Sequence, residues 1–330
     1  MMRAGRGPRK RMRFVSYSPA LAQVPKISVD GLVDNALNLT HWPGNNTPQE
    51  FKADITAEIA FKFVRSPRSE EMTRGIEILT NNHFDSDGVI PVWVLLNPEE
   101  ALEHESRLVA AARCGDFDWV ENEEALKMNL TIDLFGCSPL SPLRKKMERA
   151  KSSDQVLYDF FLDDLIGIYD HVDRYESLWG RRLAKFHEFM DARKDVAEVK
   201  EDRGLFFASI GSERRLPSLE QANLTRMDRV LFSRPVPGGG TMFEFRNSPY
   251  SWYDIVSRPY GKRVDLHAAA ATLNKMETSR DGRWHVLATW TENLGLYFGD
   301  GGGWAPKKSA SRLDADDVRG VLVDHFRSFM

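Results

Sequence analysis

The chain has 330 residues, enough for one large domain or two of ordinary size. Apolar residues make up 42% and charged residues 28%, which excludes a fibre, a disordered chain and a bundle of membrane spans. A formal net charge of -3 supplies no global attraction to nucleic acid or to anionic lipid.

Arg3, Arg6, Arg9, Lys10, Arg11 and Arg13 open the chain with no acid among them. The next stretch, FVSYSPALAQVP, is broken by serine, glutamine and proline, unlike the apolar core of an export signal. A disordered basic tail is expected over 1–25, with weak scope for nucleic-acid binding. Cys114 and Cys137 are too few for a disulfide framework and lack CxxC spacing. Two small buried thiols in a reducing, cytoplasmic setting are expected.

THWPGNNTPQEFKAD, residues 40–54, is rich in turn formers. Thr47, Pro48 and Glu50 follow the pattern of a cap, an N1 proline and an N3 acid, which predicts a helix over 48–63. Loops of this kind often carry ligands. His41, Trp42 and Asn45 are therefore candidate substrate-binding residues, with Asp54 and Thr56 facing the same cleft. Trp42 alone reads first as a plug that seals the domain.

IEIL, residues 76–79, has the form of a short buried strand. NNHFDSDG follows at once, and VIPVWVLL after it fits either helix or strand, with Pro91 suited to a helix's first turn. Asn97-Pro98 opens a helix that runs to Gly115. Residues 116–133 are acidic, and MNLTIDLF, 128–135, reads as a strand ending near Asp133. From 142 to 195 the chain reads as mostly helical.

The character changes near 200. LFFASI, RVLFSRPV and TMFEFR read as strands, with a hairpin at Gly238–Gly240. A helix over 264–276, two strands facing each other across Asn293 and a last helix over 313–329 complete the chain. Arg246, Arg258, Lys262 and Arg263 lie among Phe245, Tyr250, Trp252, Tyr253 and Tyr260. Cations among aromatics suit a phosphate-bearing ligand, or a surface with snorkelling side chains.

The whole reads as an α/β fold: a mostly parallel sheet flanked by helices over 26–200, then a smaller α+β domain over 201–330. A site is expected at the carboxyl ends of the parallel strands.

His83, Asp85 and Asp87 are spaced by two, so a loop leaving a strand tip lets them converge. Imidazole and carboxylate together suit Mn²⁺, Fe or Zn²⁺ better than Ca²⁺ or Mg²⁺ alone. The plainer reading is a set of helix caps at a strand-to-helix junction.

IEILTNNHFDSDGVIPVWVLL resembles motif I of the DHH phosphoesterase superfamily, with His83, Asp85, Asp87 and Gly88 on its four positions. LIGIYDHV resembles the third motif through Asp170 and His171, with Val172 in place of a second histidine. That segment also reads as the polar face of an amphipathic helix. Gly301–Gly303, followed by Trp304 in place of histidine, is similar to the family's glycine-rich stretch but reads first as a hairpin turn.

The resemblance implies two divalent ions, Mn²⁺ first and Mg²⁺, Fe or Zn²⁺ after it, and hydrolysis of a phosphorylated or nucleotide substrate by water. His83, Asp85 and Asp87 would be ligands, with Asp116 or Asp133 bridging. Asp170 and His171 would complete the shell, and Asp85, Asp87 and His171 would serve catalysis. Arg246 and Arg263 would hold phosphate. HWPGNNTP also looks like a segment of an uncharacterised bacterial family that pairs it with an NNHFDSDG-like motif, which implies ancestry and no activity. Two other expectations stand beside hydrolysis: a non-catalytic nucleotide- or partner-binding protein on a degenerate scaffold, and a metal enzyme of different chemistry.

Overall fold

Four short apolar segments form the first sheet in the computed structural model, which describes residues 12–191, 196–216, 218–247, 250, 252–258, 264–288, 294–301 and 307–330. They are β1 (Arg13–Phe14), β2 (Lys26–Val29), β3 (Ala36–Leu39) and β4 (Ile78–Thr80). Their order is β1-β4-β2-β3 and every pairing is parallel. Ten helices belong to the same stretch of chain: α1 (Thr56–Arg65), α2 (Ser69–Met72), α3 (Ser86–Leu96), α4 (Pro98–Glu103), α5 (Glu105–Phe117), α6 (Glu123–Cys137), α7 (Arg144–Arg149), α8 (Ser153–Asp163), α9 (Leu165–Asp170) and α10 (Glu176–Asp191). The fold is mixed α/β with this parallel four-stranded sheet and a second, mixed sheet of six strands.

The chain divides into two units: Met1–Leu183 with Asp254–Ser257, and Ala184–Tyr253 with Arg258–Met330. The division falls within α10, earlier than the boundary expected near 200, and it returns Asp254–Ser257 to the first unit. No helix among the described residues is long and apolar enough to cross a membrane.

In the first unit α3 is the central helix. Every residue from Ser86 to Leu95 is buried, because the segment is apolar on all sides and packs against α1, α5 and α8. Burial of side chains such as Ile90 and Val92 contributes about 1.5–3 kcal/mol each before entropy is counted. Pro91 sits at the sixth helical position, beyond the first turn expected for it. It removes the i+4 donor of the Asp87 carbonyl.

Several expected elements move. Residues 12–25 are not a loose tail. Arg13 and Phe14 pair with Ile78 and Leu79, the Tyr17 N–H donates to the Asn81 carbonyl at 2.8 Å, and Phe14 stacks on Tyr158 at 3.8 Å. The buried Lys26 Nζ donates to the Leu21 and Val24 carbonyls at 2.8 and 2.9 Å, tying down 21–24. The helix expected from 48 begins at Thr56. Thr47 is spent inside the loop, donating to the Asn38 and Thr40 carbonyls at 2.9 and 2.7 Å. MNLTIDLF is not a strand. It lies within α6, capped by Asn122, whose Oδ1 accepts from the Ala125 N–H at 2.8 Å.

In the second unit the sheet comprises β5 (Val196–Asp202), β6 (Phe207–Ser212), β7 (Arg229–Pro235), β8 (Thr241–Asn247), β9 (Arg283–Ala288) and β10 (Leu294–Gly299). Its order is β5-β6-β7-β8-β10-β9, parallel only between β6 and β7. The helices are α11 (Ser218–Ala222), α12 (His267–Met276) and α13 (Ala315–Arg327). Strand alternation sends Phe207, Leu231 and Phe245 toward Leu273 of α12 and Leu322 and Phe326 of α13. Ala208, Ile210 and Val230 face the other way, against Phe189 and Leu216. Gly238, Gly239 and Gly240 link β7 to β8 with φ of 89°, 93° and 91°, a run of left-handed conformations that only glycine adopts without strain. Asn293 and residues 302–304, where two further turns were expected, lie outside the described residues.

Candidate metal centre

The connection from β2 to β3 is unusually short. Residues 30–35 join two parallel strands, where a crossover normally needs a dozen residues or more. Two left-handed residues, Asp30 at φ 44° and Asn35 at φ 51°, make the reversals possible. Such backbone costs about 1–3 kcal/mol for a residue other than glycine and persists where surrounding contacts enforce it. Asp30 has those contacts. Its Oδ1 accepts from Trp42 Nε1 at 3.2 Å and from Thr56 Oγ1 at 3.1 Å.

Asp30 follows β2, His41 follows β3 by two residues, and His83, Asp85 and Asp87 lie between β4 and the first turn of α3. These are the carboxyl ends of three adjacent parallel strands, where open α/β sheets bind ligands. Asp116 joins them from the last turn of α5.

The side chains form two groups that share Asp30. In one, ligand atoms of Asp30, His41, Asp87 and Asp116 all lie within 4.8 Å of one another, and in the other those of Asp30, His83 and Asp85 do. His41 Nε2 is 3.5 Å from Asp30 Oδ1, 3.7 Å from Asp87 Oδ2 and 3.0 Å from Asp116 Oδ2. His83 Nε2 is 3.0 Å from both Asp30 Oδ2 and Asp85 Oδ2. One carboxylate therefore presents one oxygen to each group. The first group is sealed, its side chains at most 6% exposed, whereas His83 and Asp85 are 30% and 35% exposed. One position is buried and its neighbour opens to solvent.

Both imidazoles are oriented as metal ligands are. His41 Nδ1 donates to the Asp54 carbonyl and His83 Nδ1 donates to Asn82 Oδ1, so each Nε2 is turned toward carboxylates. Asp87 is held by the start of α1. Its Oδ2 accepts from the Thr56 N–H at 2.7 Å and its Oδ1 from the Ala57 N–H at 2.8 Å. This carboxylate, distant in sequence, is why α1 begins at Thr56. Asp85 divides its oxygens: Oδ1 caps α3 through the Gly88 N–H at 2.7 Å, and Oδ2 faces His83. The cap reading and the ligand reading of NNHFDSDG thus both apply, to different atoms.

The electrostatics are those of an overcharged pocket. Burial pushes the Asp87 carboxyl well above its usual range, and Asp116 and Asp30 push it further. Burial, with Asp30 adding to it against His41, raises Asp116 to about 6. Burial opposes charge on His83, but Asp30 and Asp85 outweigh it and hold the imidazole up to about 11. His41 is likewise raised well above its usual value, by Asp116 and Asp30 against burial. The histidines in turn outweigh burial at Asp30 and hold its carboxyl well below the carboxylate range. Four carboxylates against two imidazoles is a donor set that divalent cations satisfy. The buried Asp and His groups can hold a metal ion.

Other candidate residues are placed differently. Asp133, on α6, belongs to neither group. Its Oδ2 accepts from Asn129 Nδ2 at 3.4 Å. Its side chain is open to water, yet the surrounding protein and the charges of Asp85, Asp118 and Asp116 raise it to about 7. Asp170 and His171 are not brought to the cluster. Asp170 Oδ1 accepts from Arg107 at 2.8 Å, and His171 Nδ1 donates back to the Gly167 carbonyl at 3.0 Å. Asn45 spends its amide on the loop, donating to the Trp42 carbonyl at 2.8 Å and to Asp254 Oδ2 at 3.1 Å. Trp42 reaches the centre through Asp30, and its ring lies 5.4 Å from that of His83. Arg246, on β8, stacks over Phe232 at 5.4 Å. Arg258 is engaged by Asp228 at 2.6 Å, and Lys262 and Arg263 lie outside the described residues.

Asp30 is the residue that sequence reasoning passed over. Its signal, ISVDG, has the same apolar run and Asp-Gly ending as the NNHFDSDG segment.

Asp54 is the positioning hub for His41. Its carbonyl receives His41 Nδ1, while its carboxylate accepts from the Val256 and Ser257 N–H groups, each at 2.9 Å, and from Ser257 Oγ. The Asp254 N–H donates to the His41 carbonyl at 2.7 Å. Asp54→Ala releases this strap, and metal affinity is expected to fall by about 10–100-fold, the usual cost of an outer-shell partner. Calorimetric metal titration checks it, and an unchanged affinity would deny Asp54 the role.

Gly88 is required for its size. A Cβ there would lie 2.6 Å from Asn81 Nδ2 and 2.8 Å from Tyr158 Oη. Gly88→Ala is expected to destabilise by about 1–3 kcal/mol, despite the better helix propensity of alanine. Denaturant unfolding reads this directly.

The profile described as a family of unknown function (DUF6687) matches residues 10–328. The chain belongs to DUF6687. The match covers both units, so the centre of the first and the mixed sheet of the second are parts of one DUF6687 protein. No curated protein matches this chain.

Proposed function

We propose that this DUF6687 protein is a metal-dependent hydrolase of a phosphoester or phosphoanhydride. The observation that carries the reading is Asp30, whose Oδ1 and Oδ2 face different histidines at 3.5 and 3.0 Å, as a carboxylate shared between two cations would. Asp30, His41, Asp87 and Asp116 would hold the buried ion, and Asp30, His83 and Asp85 the open one. Divalent ions so placed neutralise phosphoryl oxygens and lower the pKa of a water. Mixed N and O donors favour Mn²⁺, with Fe and Zn²⁺ next and Mg²⁺ after them. The protein's own share is to hold Nε2 of each histidine in place, to exclude water from the first group and to leave the His83–Asp85 side open to substrate. The DHH-like pattern of the NNHFDSDG segment supports the same reaction class.

A non-catalytic reading has one observation in its favour: Asp170 and His171, the third-motif candidates, are spent on Arg107 and on their own helix. One experiment separates the two. Protein purified without chelator is assayed for metal, then for hydrolysis of bis(4-nitrophenyl) phosphate with added Mn²⁺. Metal with turnover supports the hydrolase, and metal without turnover of this or other phosphoesters supports the binding protein. Absence of metal and of metal uptake would end the hydrolase reading and leave the non-catalytic one.

A further inference from the structure

The second unit contains a cavity of about 430 Å³, within the range of pockets that take small organic ligands. It lies on the sheet face opposite α12 and α13, over β7 and β8, and is bounded by Leu216 and Gln221. Its lining is cationic. Arg214, Arg215, Arg234 and Lys308 face one carboxylate, Glu244, and Lys308 pairs with that carboxylate. Among the described residues no carboxylate pairs with Arg215 or Arg234; Arg234 donates to the soft Met242 Sδ at 3.0 Å. A turn sets the first two arginines at the rim: buried Ser212 donates from Oγ to the Arg214 carbonyl at 2.9 Å and accepts from its N–H at 3.3 Å.

Gln221 is the second observation. It is 9% exposed, and its Nε2 donates to the Leu216 carbonyl at 2.6 Å, which fixes which amide atom remains. That atom, Oε1, is buried with no hydrogen-bond partner among the described residues. Buried acceptors of this kind normally have a partner. Phe232 and Met242 supply apolar wall between the cations.

We propose that this cavity binds a nucleoside monophosphate or an organic phosphate of similar size. The phosphate would lie against Arg215 and Arg234, whose planar guanidinium groups match its oxygens. The ring would lie on Phe232 and Met242, and a hydroxyl or amino group would donate to Gln221 Oε1. The site is separate from the metal centre and does not rest on the hydrolase reading.

The test is calorimetric titration of the full chain with AMP, adenosine and inorganic phosphate. Saturable AMP binding is expected, weakened at least about 10-fold in Arg215→Ala/Arg234→Ala and in Arg215→Glu, which sets a carboxylate beside the phosphate. Both variants should keep the wild-type metal content and melting temperature. AMP should still bind Asp85→Asn, which separates this cavity from the metal centre. Adenosine or phosphate alone should bind more weakly than AMP. Phosphate binding as tightly as AMP would overturn the nucleotide class. Absence of saturable binding, unchanged affinity in both cavity variants, or loss of binding in Asp85→Asn would overturn the site.

Discussion

Asp30→Asn is expected to empty both metal positions at once. The amide oxygen can still accept from Trp42 and Thr56, which hold the wild-type Oδ1 at 3.2 and 3.1 Å, so the local fold is kept. The amide nitrogen then faces His83 as a donor, in place of the oxygen now 3.0 Å away. Removing one member of a buried charge constellation costs about 3–5 kcal/mol, equivalent to about 10²–10³-fold or more in metal affinity. The shared position makes the pattern diagnostic. Asp85→Asn touches only the open group, and Asp116→Asn only the buried one. Metal content per chain should therefore fall toward zero in Asp30→Asn and by about half in each of the others. Elemental analysis of the three variants decides this. Equal losses in all three would remove the case that Asp30 is shared.

Metal binding should also strengthen steeply as pH rises. Without metal, Asp30 and Asp85 hold the His83 imidazole up to about 11, and Asp116 and Asp30 raise His41 as well. Both rings are thereby held toward the charged form, and a ligating imidazole must be neutral. Filling both positions then releases protons from the two rings and from the raised carboxyl of Asp87, and affinity rises up to about tenfold per pH unit for each proton displaced.

The metal-free protein has the opposite trend. A His83 value raised above its unfolded 6.5 contributes stability that is full below pH 6.5 and is lost as pH rises through about 11. The raised carboxyl of Asp116 acts in the same direction over a lower window, from its unfolded 3.8 to about 6, because the folded state holds that proton more tightly. The melting temperature without metal should therefore fall from pH 7 to 10, while the increment that metal adds should grow. Calorimetry in buffers of different ionisation enthalpy counts the protons. A heat that does not vary with buffer would contradict the protonated histidines.

Much of the site was legible in the chain because its chemistry is local. His83, Asp85 and Asp87 lie within five positions after an apolar strand, and period-two spacing at a strand tip leaves few places for them to point. HWPGNNTP stood out as a turn-rich loop, and His41 and Trp42 from it do reach the cluster. The helix over 315–327 and strands β6 to β10 were readable from periodicity and glycine punctuation, whereas 86–96 fitted helix or strand alike and β5 was not foreseen. Elements shaped by distant partners were not. Thr47 looked like a helix cap, but the helix starts where the Asp87 carboxylate meets the Thr56 and Ala57 amides. MNLTIDLF is β-rich in composition, yet a cap at Asn122 and burial on α6 make it helix.

The amino-acid sequence by itself determined that this chain carries an acidic, histidine-bearing site at the end of a strand and an α/β framework to hold it. Composition and short-range periodicity are sufficient for both. Only the tertiary structure decided the membership of the site. Asp30 and Asp116 are brought in from β2 and α5, Asp133 is left outside both groups, and Asp170 and His171 are turned to other partners. The physical reason is that ligation depends on atoms a few ångströms apart. Those separations are set by which strand lies beside which, by a left-handed Asp30 between β2 and β3, and by the burial that raises the energetic stake of every unpaired charge.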